Sequence, residues 1–388
     1  MNVLQQSVLT LLKAAITGQP QPLPEGFQLN EACALAQRQS LLPLAYEGAL
    51  LCGIEPADPV MQKLFAAYCK SLAVSETQMR EVARVCAAFE AAGIDYMPLK
   101  GVNMKPLYPK PEMRSMGDAD ILIRLEQYPK IVPILESLGF VPKGESDHEL
   151  TWQSKGLYLE LHKRLLPTDE EITGAYCGDG WHMAAAHTGH CWRMSQENEF
   201  IFLLTHFMKH FSGRGIGCRQ ITDLWVFLQT HPELDMDVLK GELKALELWD
   251  FFKNIRRTLA AWYGDGPKDA MTELITDYLF AGGTFGRTEM GVLSRNIFAS
   301  RRAPMGLHGR LAYALQQIFP PVEQLRRNYP VLRKMPWLLP GVWAWRLARR
   351  LADGRSWRYH TRNLRLLRSQ DLTAREEFLS GVGLSAHL

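Results

Sequence analysis

The spacing of apolar residues changes twice along this 388-residue chain. Residues 1–92 show apolar positions at helical spacing, and the run 63–92 predicts one long helix that stops at Gly93. From residue 198 onward, apolar stripes with a period near 3.6 residues return. These stripes predict helices over residues 199–211, 220–229 and 237–263. The outline is helical, then mixed, then helical again.

The middle region combines short predicted strands with two helices. Strands are expected at residues 94–99, 119–123, 140–141, 149–152 and 157–162. Helices are expected at residues 102–107 and 128–138, and the second ends at Gly139. This pattern predicts a compact unit of mixed helix and strand between two helical parts.

Two acidic residues open the strand 119–123. Asp118 and Asp120 stand two positions apart, so their carboxylates point to one face of the strand, because side chains alternate along it. On the last strand Glu160 shares a face with His162, opposite Leu159. The two aspartate carboxylates, held this close on one strand, favour binding of a divalent cation, since Mg²⁺ prefers oxygen ligands. A solvated acidic pair at a strand end is the alternative.

A candidate phosphate site lies between the first strand and the helix 102–107. Glycine at position 101, after Lys100, permits close backbone approach, and a helix N-terminus presents free N–H groups to an anion. An ordinary strand-to-helix turn is the alternative. Arg114 either pairs with a phosphate, braces the carboxylates or lies at the surface in a turn.

Composition narrows the class of protein. With 47% hydrophobic and 22% charged residues the chain is globular, and its length predicts two or three units. Seven cysteines without a CxxC pair indicate neither a zinc ribbon nor a disulfide framework and favour a reducing compartment. The first residues lack a basic leader, and no uncharged stretch is long enough to span a bilayer. We therefore expect a cytoplasmic protein with no transmembrane segment.

The net charge of +3 conceals a basic region near the C-terminus. The segment 325–368 contains twelve Lys and Arg residues and a single acidic residue, Asp353. Aromatic residues are interleaved with them: Trp337, Trp343, Trp345, Trp357 and Tyr359. This pattern is typical of an RNA-binding surface, of a helix on an anionic membrane, or of a solvated basic face whose tryptophans pack on the main body. The sequence leaves all three open.

Histidines form a second candidate site in the helical part after residue 198. His206 and His210 stand at i and i+4, a spacing that binds metal ions in some enzymes. Because the glutamate of a HExxH motif is missing, zinc-dependent or other phosphohydrolase chemistry is the weaker interpretation. We favour the polar edge of a packed helix pair or the lining of a cleft.

Taken in order, these motifs resemble the nucleotidyltransferases with the polymerase-β-like fold, and within them a bacterial group with LKG and RxMGDxD motifs. The residues that carry the resemblance are Leu99-Lys100-Gly101, Leu107-Tyr108-Pro109, the run 114–123 and Leu159-Glu160-Leu161-His162. The likeness covers roughly residues 94–165 and continues more weakly to Asp223.

The resemblance implies an α+β fold with a polymerase-β-like core, a small mixed sheet with flanking helices. This core would occupy residues 93–175, after an N-terminal helical region over 1–92. A helical domain over 176–300 would complete the cleft, and a basic, Trp- and Arg-rich helical region would follow over 301–388.

The resemblance also assigns roles to residues. Asp118, Asp120 and Glu160 would be the catalytic residues and the ligands of Mg²⁺, with Mn²⁺ as the other candidate ion. The nucleotide-binding residues would be Lys100, Gly101, Arg114, Arg219 and Asp223. From their spacing alone, Arg219 and Asp223 either face the nucleotide or acceptor or pair with each other at i and i+4.

The implied activity is transfer of a nucleoside monophosphate from a triphosphate such as ATP to a hydroxyl or amine, with release of pyrophosphate. The acceptor is a small molecule, a protein or RNA. One departure stands out, because the superfamily has Gly-Ser at the phosphate turn where this chain has Gly101-Val102. It motivates an alternative from another class, a catalytically inactive module that binds a nucleotide or a partner.

Overall fold

The computed structural model describes residues 1–167, 171–283 and 369–387, the shorter stretches 319–320, 322–325 and 331–352, and positions 290, 294 and 329. The chain divides into two compact units. The first comprises residues 1–211, 215–286 and 382–387, and the second comprises residues 212–214, 287–381 and 388. The four regions expected from the sequence stay a prediction.

Four helices precede the first strand. They are α1 (Val3–Thr17), α2 (Leu29–Arg38), α3 (Leu42–Leu51) and α4 (Pro59–Ala91). The side chain of Asp58 accepts hydrogen bonds at the start of α4, and Gly93 follows its end with a φ of 66°. The long helix predicted over residues 63–92 is therefore confirmed, with a start a few residues earlier.

A seven-stranded mixed sheet forms the centre of the first unit, in the order β3-β4-β5-β2-β1-β7-β6. Its strands are β1 (Tyr96–Leu99), β2 (Ala119–Ile123), β3 (Val141–Glu145), β4 (Glu149–Gln153), β5 (Tyr158–His162), β6 (Ala184–Thr188) and β7 (Cys191–Met194). Helix α5 (Gly101–Met104) lies between β1 and β2, and helix α6 (Tyr128–Ser137) lies between β2 and β3. The predicted α+β class is confirmed, and the sheet with flanking helices is consistent with a polymerase-β-like core.

One face of this sheet is buried by alternating apolar side chains. Ile121 of β2, Leu159 and Leu161 of β5 and Trp152 of β4 all lie in one core with Phe89 of α4. The residues between them on each strand point to the opposite face. The period-2 pattern therefore predicts which side chains of β2 and β5 stand on the polar face.

Helix α7 (Glu171–Cys177) lies between β5 and β6. The helices after the last strand are α8 (Gln196–Ser212), α9 (Cys218–Thr230), α10 (Met236–Ala245), α11 (Trp249–Tyr263) and α12 (Ala270–Gly282). Two expectations are wrong here. The hairpin β6–β7 lies within a region expected to be helical, and the helix expected over 237–263 is two helices. Glu247, with a φ of 55°, interrupts the helix, while apolar spacing continues on both sides of the break.

The second unit contributes four described helices, α13 (Val322–Leu325), α14 (Val331–Lys334), α15 (Leu339–Ala352) and α16 (Ser369–Gly381). Trp337 and Trp345 are 70% and 63% exposed, whereas the Trp343 indole donates to the Pro320 carbonyl. Parts of the predicted basic region, residues 326–328 and 353–368, lie outside the described residues. Among the residues that are described, no helix has the length and apolarity to cross a membrane.

Candidate active site

Strand register brings two predicted ligands together on the polar face of the sheet. β2 and β5 run parallel, and Asp120 stands opposite Glu160. On its other side β2 pairs antiparallel with β1, which places Leu99 opposite Asp120 and Lys100 just beyond. Asp118 immediately precedes β2 and is partly buried. The sheet therefore gathers residues from three sequence segments around one end of β2.

Two side chains share one oxygen of Asp120. The Lys100 ammonium lies 2.8 Å from Oδ1 of Asp120, and Nε2 of His162 lies 2.8 Å from the same oxygen. Nε2 of His162 is also 3.9 Å from Oε2 of Glu160. Asp120 and His162 are 4% and 1% exposed, so solvent contributes little to their stabilisation. Asp120 is thus the centre of a buried polar cluster.

The electrostatics of the cluster reflect crowded carboxylates. Burial, together with Asp118, Asp120 and Glu149, raises the pKa of Glu160 to about 8. Burial and Asp120 raise the pKa of Asp118. Burial alone would raise the pKa of Asp120, but Lys100 and His162 outweigh it and lower this pKa. Burial and Lys100 lower the pKa of His162.

This donor set fits a divalent cation. One ligand atom each from Asp120, Glu160 and His162 lies within 4.8 Å of the others. Two donors on one ion at about 2.1 Å are separated by roughly 3 to 4 Å, so only a small adjustment is needed. A doubly charged ion would also offset the repulsion between Glu160 and the two aspartates. The tight group contains Asp120 and Glu160 from the predicted set, and Asp118 lies beside it.

Lys100 occupies an unusual backbone conformation. Its φ of 42° and ψ of −110° are rarely adopted by residues with a side chain, and such strain costs about 1–3 kcal/mol. The ion pair with Asp120 and the Phe202 ring 5.9 Å from the ammonium fix the side chain. The contacts made by Lys100 thus compensate for a strained turn.

The turn that follows is packed closely. A Cβ on Gly101 would lie 2.8 Å from Nη1 of Arg114 and 2.9 Å from Sδ of Met116. Val102 packs in the apolar core against the sheet. Position 101 therefore requires glycine because Arg114 and Met116 pack against it, and position 102 faces the core.

A buried network supports the segment between α5 and β2. Nε and Nη2 of Arg114 donate to the two oxygens of Asp223, each at 3.0 Å, and the Tyr108 hydroxyl donates to Oδ1 at 2.8 Å. The Lys105 ammonium donates to the Arg114 carbonyl at 2.7 Å. Arg114 is therefore buried, so the surface alternative left open by the sequence is wrong.

Arg219 takes a different partner from the one its spacing suggests. Its Nη1 donates to the Ser115 carbonyl at 3.0 Å, while Asp223 forms its ion pair with Arg114. Burial and the nearby Arg114 lower the pKa of Arg219. Helical spacing brings residues four apart onto one face, but here each side chain reaches the loop before β2.

The histidines of α8 lie near the cluster. The Nε2 atoms of His206 and His210 are 3.2 Å apart. Burial and Lys100 lower the pKa of His206 well below its ordinary value, and His162 adds to this effect. His206 thus stands within electrostatic range of Lys100 and His162, as the lining of a cleft would.

Sequence reasoning missed two residues of this site. His162 was placed on the correct face of β5, yet its contact with Asp120 depends on the pairing of β5 with β2. Tyr108, part of the motif at residues 107–109, was given no role, although it binds Asp223. The available signal was the Glu-x-His alternation, which places both side chains on one face.

Comparisons with known proteins identify a family. A family model with the description "Uncharacterised nucleotidyltransferase" matches residues 25–264. No curated protein matches the chain significantly. Among solved structures, the solution structure of the antibiotic-resistance factor ANT(2'')-Ia is similar at 12% identity and a TM-score of 0.34, over 44% of this chain and 93% of that one.

Proposed function

This chain belongs to the family of uncharacterised nucleotidyltransferases, and on that premise we propose that it transfers a nucleoside monophosphate from a triphosphate, ATP among them, to a hydroxyl or amine. The observation that carries the proposal is the register of β2 and β5, which sets Asp120 beside Glu160 with Asp118 adjacent. We also infer that the chain falls in the group with LKG and RxMGDxD motifs.

The reaction is a displacement at the α-phosphorus. The acceptor oxygen or nitrogen forms a bond to this phosphorus, the bond to the β-bridging oxygen breaks, and pyrophosphate leaves with the electron pair. We assign Glu160 to align the acceptor and take its proton, because its carboxylate stands beside Asp120 on the same face. The protein otherwise positions the two reactants.

We propose Asp118, Asp120 and Glu160 as the residues that hold the divalent ion, Mg²⁺ or Mn²⁺. When bound, such an ion supplies positive charge at the attacking and leaving oxygens. The carboxylates orient it, and the apolar core beneath the strands keeps them in register. The crowding that raises the pKa of Glu160 to about 8 supports a site built to receive a cation.

Nucleotide binding is assigned to the turn and loop around the cluster. We propose that Lys100 exchanges its contact with Asp120 for the triphosphate and that the Gly101 backbone lies beside it. Arg219 is the other candidate contact. Arg114 and Asp223 act from beneath, because their paired buried side chains hold the loop before β2, and Arg219 of α9 donates to the Ser115 carbonyl of the same loop.

The acceptor is a small molecule, a protein side chain or an RNA end. The basic region motivates the RNA option, and salt-dependent RNA binding that disappears on truncation after residue 320 would support it. Full-length protein that binds no RNA would remove it, and vesicles with anionic lipid test the membrane surface in the same way. Seven free thiols support a reducing compartment, the cytoplasm, for the reaction.

The catalytically inactive module is not favoured. Its motivation was the lost serine at position 102, but Val102 packs in the core rather than beside Asp120. The family description and the converging carboxylates favour an enzyme. Tight nucleotide binding that does not depend on the metal ion, together with no turnover, would favour the inactive module instead.

Pyrophosphate release tests the proposal. Full-length protein is incubated with each α-labelled triphosphate, Mg²⁺ or Mn²⁺, and a fractionated extract that supplies acceptors. We expect release together with a labelled acceptor, and loss of both in an Asp118→Ala/Asp120→Ala variant. An unchanged rate in the double variant would overturn the assignment of the site.

A further inference from the structure

His162 stands where a third metal ligand would stand. It is the last residue of β5, and strand pairing sets it opposite Leu122 of β2 and Glu149 of β4. Its Nε2 is 2.8 Å from Oδ1 of Asp120 and 3.9 Å from Oε2 of Glu160. The imidazole therefore points into the carboxylate cluster from the same face of the sheet.

Both ring nitrogens of His162 lie beside oxygens that accept hydrogen bonds, Nε2 beside Asp120 and Nδ1 beside the Arg164 carbonyl. Nδ1 of His162 lies 3.3 Å from the carbonyl oxygen of Arg164, which can only accept a hydrogen bond. A neutral imidazole carries a single N–H, so a proton on Nδ1 leaves the lone pair of Nε2 directed at Asp120 and Glu160. A cation beside Nε2 resolves this contact between a lone pair and carboxylate oxygens.

This arrangement matches the surroundings of histidines that bind metals. A metal-bound imidazole commonly donates its second N–H to a backbone carbonyl, which sets the tautomer and the ring orientation. In this chain the Arg164 carbonyl is two residues beyond the ring it holds. The ring is 1% exposed, so it is also screened from bulk water.

We propose that Nε2 of His162 is a ligand of the same divalent ion as Asp120 and Glu160, and that this nitrogen makes the site select a first-row transition metal ion such as Mn²⁺ over Mg²⁺. Imidazole is a better ligand for first-row ions, whereas Mg²⁺ prefers oxygen donors alone. The inference rests on the metal dependence in the proposed function and extends it to the choice of ion.

Pulsed electron paramagnetic resonance of Mn²⁺-loaded protein tests the bond directly. Full-length protein is loaded with Mn²⁺ alone, without nucleotide, and the modulation from a bound ¹⁴N nucleus is recorded. We expect this modulation in the wild type and its loss in His162→Gln. Mn²⁺ affinity should fall about tenfold or more, with a much smaller change for Mg²⁺.

Neighbouring histidines provide matched controls. His148 has its ring 6.0 Å from that of His162, and His210 contacts His206 on α8. His148→Gln and His210→Gln should keep the nitrogen modulation, and its loss in either variant instead would assign the ligand elsewhere. If His162→Gln does not fold, ¹⁵N-histidine labelling must alter the modulation of the wild type and also that of the His148→Gln and His210→Gln variants.

The absence of nitrogen modulation in the wild type, or equal Mn²⁺ and Mg²⁺ affinities, would overturn the inference. Because binding is measured without nucleotide, the two proposals fail separately. Protein that shows the nitrogen signal but transfers no nucleotide overturns the proposed function alone. Protein that transfers nucleotide without the nitrogen signal overturns the His162 assignment alone.

Discussion

Nζ of Lys100 and Nε2 of His162 both lie 2.8 Å from Oδ1 of Asp120. Alternation along β2 and β5 predicts that Asp120 and Glu160 stand on polar faces, and the burial of Ile121 and Leu161 agrees with this prediction. The contacts of His162 could not be predicted, because they depend on which strands are neighbours. The backbone conformation of Lys100 could not be predicted either, since a positive φ is expected at glycine.

The Lys100 ammonium competes with a metal ion for Asp120. In Lys100→Met the competing charge is gone, so we expect Mn²⁺ to bind roughly 3- to 10-fold more tightly in the absence of nucleotide. Nucleotide affinity should fall, because a triphosphate contact is lost. Titration calorimetry measures both affinities, and Lys253→Met, which removes an exposed ion pair with Asp250, is the control. Unchanged Mn²⁺ affinity would contradict this role.

Gly101 tolerates no side chain while Arg114 keeps its position. Gly101→Ala places Cβ 2.8 Å from a guanidinium that Asp223 holds through two bonds, so we expect a loss of about 1–3 kcal/mol in the free energy of unfolding. Gly117→Ala is the matched control, since its Cβ meets nothing within 4 Å. Denaturant unfolding measures both, and equal stabilities of the two variants would refute the packing argument.

Among the elements, β2, α6 and β5 follow the sequence prediction closely, because their apolar periods are clean and their ends are marked by Gly139 or by charged residues. The hairpin β6–β7 escaped prediction. Its segment contains few large apolar residues, and its register shifts between Ala186 and Thr188. The break between α10 and α11 also left the apolar spacing intact.

The Arg114–Asp223 pair joins α9 to the loop before β2. Asp223→Asn removes the charge that offsets a buried guanidinium, and breaking such a pair costs about 3–5 kcal/mol. We expect faster amide hydrogen exchange at residues 113–117 and a higher KM for nucleotide. Asp250→Asn, in an exposed pair with Lys253, should cost about 0–1 kcal/mol. Comparable effects of the two substitutions would contradict the bracing role.

Lys105, in the turn after α5, makes the free energy of unfolding depend on pH. Burial and Arg114 lower the pKa of Lys105 to about 8, from 10.5 in the unfolded chain. Between these values the unfolded chain holds more protons, so this group makes folding more favourable as pH rises. Its burial penalty, roughly 3 kcal/mol below pH 8, is relieved towards pH 10.5.

Lys105→Met exposes this effect. The Tm of the variant relative to that of the wild type should be highest near pH 7.5 and decline as the pH is raised to 10. The lost hydrogen bond to the Arg114 carbonyl shifts the variant equally at all pH values. Lys130→Met, on an exposed position of α6, should show no such trend. A Tm difference for Lys105→Met that is constant with pH would refute the assignment.

For the molecule as a whole, the order of helical, mixed and helical parts was predictable from periodicity. Short motifs between residues 99 and 162 suggested a nucleotidyltransferase, and the match over residues 25–264 establishes the family of uncharacterised nucleotidyltransferases. The division into two units was not predictable at its observed limits, because the first unit includes residues 382–387 from near the end of the chain. The inclusion of residues 382–387 in the first unit depends on long-range contacts, which local sequence patterns do not encode.

A dual-label experiment tests most directly whether this chain catalyses nucleotidyl transfer. The proposed catalytic residues are Asp118, Asp120 and Glu160. Triphosphate labelled at the α- or the γ-phosphorus is supplied with metal ion and acceptor extract to the wild type and to Asp120→Asn. We expect α label to reach the acceptor, γ label to appear only in pyrophosphate, and both signals to fall at least about 10³-fold in Asp120→Asn. Transfer of γ label to the acceptor, or an undiminished rate in Asp120→Asn, would contradict it.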